Sequence, residues 1–232
     1  MPPKPRPHGP RRPNPARKPP VPGAPSARPL WLYGAAGLGL LAILAVVAFV
    51  VFGSGGSGPG DARAALEAAG CTLELADAPA NVSDHSDVRS PDMDVKAWNT
   101  DPPTAGPHFG VPALFGAYDE ALQQARVVHN LEHGGVYIQY GSEVPEATVA
   151  ELRGFYEDHQ NGTLLAPLPR LGKTIALGAW VTPGETGEGA GRGTGVLAKC
   201  TEFDREAFAA YFDAYQFKGP ERFPPDALAP GS

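Results

Sequence analysis

The feature that most constrains this chain is an apolar run from Leu30 to Phe52 that contains no charged residue. As a helix rising ~1.5 Å per residue, these 23 positions span about 34 Å, enough to cross the ~30 Å hydrocarbon layer of a bilayer. Trp31 and Tyr33 stand at its start, where aromatic side chains favour the membrane interface. No clear small-residue cleavage site precedes the Gly/Ser stretch that follows. We therefore predict an uncleaved transmembrane helix over residues 30–52.

The segment before this run, residues 1–29, carries seven Lys and Arg residues and no Asp or Glu. Because it is rich in proline and poor in large apolar side chains, we predict a disordered basic arm. Positive flanks stay in the cytoplasm, so residues 53–232 are expected outside it. The chain has a formal charge of −6, which leaves −13 for residues 30–232 and argues against nucleic-acid binding. The arm is instead expected to contact the anionic lipid bilayer.

The remaining chain has the size of one domain between two flexible ends. Residues 53–60 contain only Gly, Ser and Pro and predict a flexible linker. Residues 61–223 form the predicted extracytoplasmic domain, and residues 224–232 are expected to be a frayed tail. Within the domain, strand and helix patterns are mixed without regular alternation, which favours an α+β class with a small mixed or antiparallel sheet and a few helices.

Several elements of that domain have clear local signals. The β-branched and aromatic segment Val136–Tyr140 predicts a strand. Helical patterning extends over residues 119–133 and ends at Gly134-Gly135. Further predicted elements are strands at 72–75, 163–166, 174–182 and 195–200 and helices at 62–69, from 145 and from the capping box Thr201-x-x-Asp204 through Gln216.

Two cysteines, Cys71 and Cys200, lie near the two ends of the predicted domain. In an oxidising compartment a disulfide between them would close most of the domain into one loop. Such a loop would stabilise the fold by on the order of 4 kcal/mol in the chain-entropy model. Two free thiols are the alternative. A thiol redox pair is disfavoured because the cysteines are not in a Cys-x-x-Cys arrangement.

The residues most suggestive of chemistry are His129-Asn130-Leu131-Glu132-His133. Residues four apart share one face of a helix, so His129 and His133 can contact one metal ion. His108, in a proline-rich loop stiffened by fixed φ angles, is the expected third ligand, and His85 is a candidate fourth. Clustered imidazoles suit copper or zinc. Glu132 would orient a ligand or accept a proton.

Two alternatives use the same residues differently. His129-x-x-Glu132-His133 matches the inverted zincin pattern, in which two imidazoles hold zinc and the Glu activates water. A hydrolase of this kind would use Glu132 as its base. In the other alternative, the histidines only hydrogen-bond the backbone beside the Gly-Gly turn, and the domain is a non-catalytic interaction module.

Three longer motifs carry a resemblance. They are Pro102-Pro103-Thr104-Ala105-Gly106-Pro107-His108, Gly116-Ala117-Tyr118 and Val128-His129-Asn130-Leu131-Glu132-His133-Gly134-Gly135-Val136, with Ala179-Trp180 and Gly219-Pro220-Glu221 trailing them. Together they resemble the bacterial family of domain of unknown function 3105, over roughly residues 65–222. Ala105 stands where that pattern has Ser, which changes a hydroxyl and no candidate ligand. The resemblance implies a membrane-anchored extracytoplasmic domain and no particular activity.

Overall fold

The apolar segments of the C-terminal region pair into one mixed sheet in a computed structural model, which describes residues 58–79, 85–182 and 192–232. Within these ranges the strands are β1 (Thr72–Asp77), β2 (Gly116–Ala117), β3 (Val136–Tyr140), β4 (Thr163–Pro167), β5 (Ile175–Val181) and β6 (Thr194–Cys200). Their order across the sheet is β1-β6-β5-β3-β4-β2. Neighbours from β1 to β3 are antiparallel, whereas β4 runs parallel to both β3 and β2.

Four α-helices pack on this sheet within the described ranges. They are α1 (Pro59–Ala68), α2 (Gln124–Glu132), α3 (Glu146–Asp158) and α4 (Arg205–Tyr215). The predicted α+β class with a mixed sheet is confirmed. Strand β3 begins and ends where its β-branched pattern predicted. Helix α2 is shorter at its start than the predicted span of 119–133, because the backbone N–H of Tyr118 donates to Leu165 O and Gln123 is still extended.

The sheet separates two hydrophobic clusters because successive side chains of a strand point to opposite faces. On β3, Ile138 joins the cluster that contains Leu66, Phe155 and Tyr211 from helices α1, α3 and α4. The next side chain back, Tyr137, joins the other cluster. That second cluster comprises Ala105, Phe115, Val127, Val128, Leu131, Leu164 and Trp180, among others. Helix α2 and the loop before it therefore cover the second face.

The predicted disulfide between Cys71 and Cys200 is present, with an S–S distance of 2.03 Å. Its position follows from strand register. β1 and β6 are antiparallel neighbours with Thr72 opposite Lys199, so the residue before Thr72 faces the residue after Lys199. Both cysteines are buried beside the helical cluster. The bridge thus joins the beginning of the sheet to the end of its last strand.

The C-terminal residues 224–232 do not fray, contrary to the expectation from sequence. Leu228 is buried in the second cluster, and its carbonyl accepts from Gly162 N. The backbone of Phe115 donates to Ser232 O at 3.0 Å and accepts from Gly231 N at 2.8 Å. The buried Leu228 side chain and these backbone hydrogen bonds therefore hold the segment in place. The polar, proline-rich composition of the segment gave no sign of these contacts.

Within the described ranges, no helix combines the length and apolar character needed to cross a membrane. The predicted transmembrane helix over residues 30–52, the basic arm over 1–29 and most of the linker lie outside these ranges.

Candidate metal centre

The His-x-x-Glu-His motif forms the last turn of α2 and the residue after it. Gly134 has φ +93°, a left-handed conformation that favours glycine and ends the helix. His129 and Glu132 are 5% and 0% exposed, so the motif faces the protein interior. The helix predicted over this motif therefore brings the His129 imidazole and the Glu132 carboxylate together in the protein interior.

The loop that carries His108 is held by side chains that bind its backbone. Asn99 Oδ1 accepts from Ala105 N at 2.8 Å, and Asn99 Nδ2 donates to Ala76 O at 3.0 Å. Trp98 Nε1 donates to Pro107 O at 2.9 Å. These bonds fix the residues on the N-terminal side of His108, whose side chain is fully buried.

Helix α2 holds the other side of the same loop. Asn130 Nδ2 donates to Ala113 O at 2.8 Å, and Asn130 Oδ1 accepts from Ala113 N at 3.0 Å. Phe109 N donates to Ala125 O at 3.1 Å. Because both residues of α2 are buried, the loop and the helix form one packed unit around His108.

Four ligand-type side chains converge on this unit. His85, His108, His129 and Glu132 each offer one atom, and these atoms all lie within 4.8 Å of one another. His108 Nε2 lies 2.9 Å from both His85 Nε2 and Glu132 Oε2. His85 Nε2 lies 3.6 Å from the same oxygen. Ligand atoms that share an ion at ~2.0–2.2 Å are separated by about 3 to 3.5 Å, so this group has the size of a metal site.

Backbone carbonyls fix the tautomers of two of these rings. His108 Nδ1 lies 2.8 Å from Gly106 O, and His129 Nδ1 lies 2.8 Å from Phe109 O. A carbonyl oxygen only accepts, so both Nδ1 atoms carry the proton and donate. In the neutral rings the lone pair is then on Nε2, the atom that faces the cluster. Metal-binding histidines are commonly oriented by such a hydrogen bond.

Burial and neighbouring charge set the ionisation of the cluster. Burial lowers the pKa of His129 to about 4, so the ring is neutral at pH 7. Burial alone would raise the pKa of Glu132, but the His108 hydrogen bond and the nearby imidazoles outweigh it and hold the pKa below its ordinary value. The centre therefore combines an ionised carboxylate with a neutral ligand ring.

One of the two carboxylate oxygens of Glu132 makes no hydrogen bond within the described residues. Its Oε2 contacts His108 and His85, but its buried Oε1 has no hydrogen-bond partner among the described residues. Leaving a buried charged oxygen unpaired costs several kcal/mol on the scale of buried polar groups. A cation at this position would offset that cost.

The centre is buried on one side and accessible on the other. The side chains of His108 and Glu132 are fully buried, whereas that of His85 is 37% exposed. The ring of His85 stacks on that of His129 at a centroid distance of 4.8 Å. An ion can therefore reach the group from the side of His85.

His133 lies at the edge of the quartet. Its Nε2 is 3.1 Å from His129 Nε2, and it belongs to a second group with Glu132 and Glu221. Burial lowers the pKa of His133 as well. The structure thus gathers all the histidines predicted as ligands, but it groups His85 rather than His133 with His108 and His129. It also brings a Glu132 oxygen in among the ring nitrogens, where the sequence predicted a supporting role.

Glu221 also lies in this region, although the sequence predicted no ligand role for it. It lies 88 positions after His133, and its only signal was the Gly219-Pro220-Glu221 motif. Its backbone N–H donates to Glu132 O at 2.9 Å. Gly219 passes so close to α2 that an added Cβ would lie 2.3 Å from Glu132 O. Only a residue without a side chain permits this approach, which places Glu221 beside the motif.

His159 is not part of either group within the described ranges. Its side chain is half-buried. Its Nδ1 donates to Phe155 O at 2.9 Å and its ring stacks on Phe155 at 4.1 Å. Helix α3 therefore uses this histidine as a packing residue.

Comparison with known proteins gives one result. The family model described as "Protein of unknown function (DUF3105)" matches residues 92–226, a range that holds His108, the whole His-x-x-Glu-His motif and Glu221. No curated protein and no solved structure matches the chain. Because the match covers more than half of the sequence, the chain belongs to the DUF3105 family.

Proposed function

We propose that this domain binds a transition metal ion, copper or zinc, through His85, His108, His129 and Glu132. The observation that carries the proposal is the convergence of three imidazole nitrogens and one carboxylate oxygen within 4.8 Å. The Nδ1 protons of two rings are donated to backbone carbonyls, which supports Nε2 lone pairs directed at a shared ion.

The donor set argues for these metals. Imidazole nitrogen and carboxylate oxygen suit zinc and divalent copper, whereas magnesium and calcium prefer oxygen alone. Thiolate, which favours monovalent copper, is not available, because both cysteines of the chain are in the disulfide. One carboxylate and three neutral rings carry a charge of −1, which partly neutralises a divalent ion.

Metal analysis of the full chain, purified in detergent and dialysed against zinc or copper, tests this proposal. We expect tightly bound metal in the wild type. His85→Ala removes the most exposed ligand with little risk to folding and should weaken affinity by roughly tenfold or more. His159→Ala, a histidine outside the cluster, should leave affinity unchanged and is the matched control.

Binding too weak to survive dialysis in the wild type would overturn the proposal. So would equal affinities of His85→Ala and the wild type. Either result would favour the interaction-module alternative, in which the rings only brace the end of α2 and the His108 loop.

A metal-dependent hydrolase is the second candidate. The partial exposure of His85 favours it, because a hydrolytic metal needs an open position for water. The 2.9 Å contact of Glu132 Oε2 with His108 argues against Glu132 as the base, since that oxygen lies among the ligand atoms. Azide added to the Cu²⁺-loaded chain separates the two: a changed visible spectrum indicates an exchangeable position, and an unchanged one indicates a closed binding site.

We also propose that the domain is held outside the cytoplasm by the apolar segment over residues 30–52, with the bilayer as its partner. The Cys71–Cys200 disulfide supports an oxidising compartment. Protease added outside intact spheroplasts should digest the domain and leave the arm protected. Digestion only after lysis would contradict this orientation.

A further inference from the structure

A second ligand group adjoins the quartet at the end of α2. One atom each from Glu132, His133 and Glu221 lies within 4.8 Å of the others. Glu132 belongs to both groups, so the two positions share a carboxylate. We propose that the centre is dinuclear, with a second divalent transition metal ion held by Glu132, His133 and Glu221. This inference rests on the proposed function.

The shared carboxylate is the first argument. A carboxylate has two oxygens with about four lone pairs and can bridge two cations. Glu132 Oε2 contacts His108 and His85 of the quartet, while its buried Oε1 has no hydrogen-bond partner among the described residues. A second ion gives that oxygen a partner. Two-metal sites in proteins place their ions ~3.5–4 Å apart, the scale that a bridging carboxylate spans.

The second argument is the built position of Glu221. The segment that carries Glu221 runs beside the end of α2, and three backbone hydrogen bonds join the two. Phe217 N donates to Gly134 O at 2.7 Å, Glu221 N to Glu132 O at 2.9 Å and Phe223 N to His133 O at 3.4 Å. Glu221 Oε2 lies 3.7 Å from His133 Nε2. The carboxylate is thus held beside the histidine by the backbone of both segments.

His133 is braced for the same role. The ring of Phe223 packs against it at a centroid distance of 4.5 Å. In the metal-free protein the Nε2–H of His133 donates to His129 Nε2 at 3.1 Å, since the proton of His129 is on Nδ1. With an ion in the quartet, His129 Nε2 would be a ligand and would no longer accept from His133. The His133 tautomer with its proton on Nδ1 would then offer Nε2 to the second ion.

The different ligands of the two positions predict that the two ions bind in sequence. The quartet offers three imidazoles and one carboxylate, whereas the second group offers one imidazole and two carboxylates, one of them shared. The oxygen-rich second position is expected to bind its ion more weakly than the quartet. The side chain of Glu221 is 45% exposed, which gives the second ion access from solvent.

Zinc titration of the full chain in detergent, with bound metal measured by atomic spectroscopy, tests the inference. The wild type should bind two equivalents, the second more weakly. Glu221→Gln keeps the size of a half-exposed side chain and should bind one equivalent with unchanged affinity. His133→Ala should do the same, and Glu202→Gln, an exposed carboxylate outside both groups, should still bind two.

Cu²⁺ provides a second readout through electron paramagnetic resonance. Two nearby ions broaden or quench each other's signal, so the doubly loaded wild type should lose intensity that Glu221→Gln retains. One equivalent in the wild type, unchanged in Glu221→Gln, would overturn the second position and leave the proposed function standing. No bound metal in the wild type would overturn both.

Discussion

His108 Nε2 lies 2.9 Å from Glu132 Oε2, and both side chains are fully buried. The His108 Nδ1 proton is donated to Gly106 O, so a neutral His108 presents a lone pair to the carboxylate. Two acceptors at this distance repel unless a proton or a metal ion lies between them. A proton or a metal ion between these two atoms removes that repulsion, and the first expected outcomes follow from this.

Glu132→Gln tests the carboxylate in that pair. The substitution keeps the shape of the side chain and removes its charge, so we expect metal affinity to fall by roughly tenfold or more while the fold persists. Competition with a chromophoric chelator measures the affinity. Glu157→Gln, on the exposed face of α3, is the control and should bind like the wild type. Equal affinities of the two variants would contradict a ligand role for Glu132.

Metal should stabilise the folded chain. A ligand that binds only the folded state at a hundredfold excess over its Kd adds about 2.7 kcal/mol to the free energy of unfolding. For a domain of this size that is a rise in Tm of roughly 5 to 10 °C. Thermal unfolding with zinc and then with excess chelator measures the shift and its reversal. The same shift in His85→Ala would show that zinc acts elsewhere.

Acid should destabilise the metal-free protein. Burial lowers the pKa of His129 to about 4 in the folded state, against ~6.5 in the unfolded chain. Between these values the unfolded state binds more protons, so the free energy of unfolding falls as pH drops from ~6.5 towards ~4. One group contributes at most about 1.4 kcal/mol per pH unit.

Above pH ~6.5 the ring is neutral in both states, and this contribution is constant. Urea unfolding in the presence of chelator, at several values between pH 7 and pH 5, measures the slope. His129→Gln removes the titrating ring and should flatten it. A slope that does not change would mean that other groups carry the pH dependence.

The disulfide should contribute to stability and not to the metal centre. Cys71 and Cys200 are 129 positions apart, so in the chain-entropy model their bond destabilises the unfolded chain by about 4 to 5 kcal/mol. Cys71→Ala with Cys200→Ala should lower the free energy of urea unfolding by up to that amount. Zinc stoichiometry at low temperature should remain that of the wild type. A loss of metal from the folded double variant would show that β1 and β6 influence the site.

Asn130→Ala should affect both stability and binding. Asn130 bonds both backbone groups of Ala113 and so holds the loop whose Phe109 carbonyl orients His129. Two buried backbone groups lose their partners, which costs about 2 to 4 kcal/mol. Urea unfolding and zinc titration measure the two effects. Asn161→Ala, in the turn before β4, is the comparison and should leave zinc affinity unchanged.

Local patterns predicted much of the fold. The β-branched run of β3 and the Gly-Gly stop after α2 are short-range signals, each set by interactions within a few residues. The start of α4 was wrong, because its cap is Asp204 and not Thr201. The prediction of a frayed tail was wrong because long-range contacts hold it. Phe115 pairs with residues 231 and 232, more than 100 positions away, and Leu228 accepts from Gly162, 66 positions before it.

The candidate centre divides in the same way. The sequence shows its residue types and the family motifs. It also shows the spacing of His129 and His133, and residues four apart on a helix share a face. The grouping required the tertiary structure. Which histidine joins His108, and whether Glu132 points among the rings, depend on loop paths that Asn99, Asn130 and Gly219 impose across the domain.

The primary structure alone thus indicated the class of the fold and the residues available for chemistry, since these depend on composition and short-range periodicity. It left the choice between a Cys71–Cys200 disulfide and two free thiols to the tertiary structure. Packing of distant segments decided the rest. In the folded domain His85 lies beside His129, His133 lies near Glu221, and Glu132 belongs to both ligand groups. Contacts between segments far apart in the chain leave no periodic trace, so a three-dimensional arrangement was needed to find them.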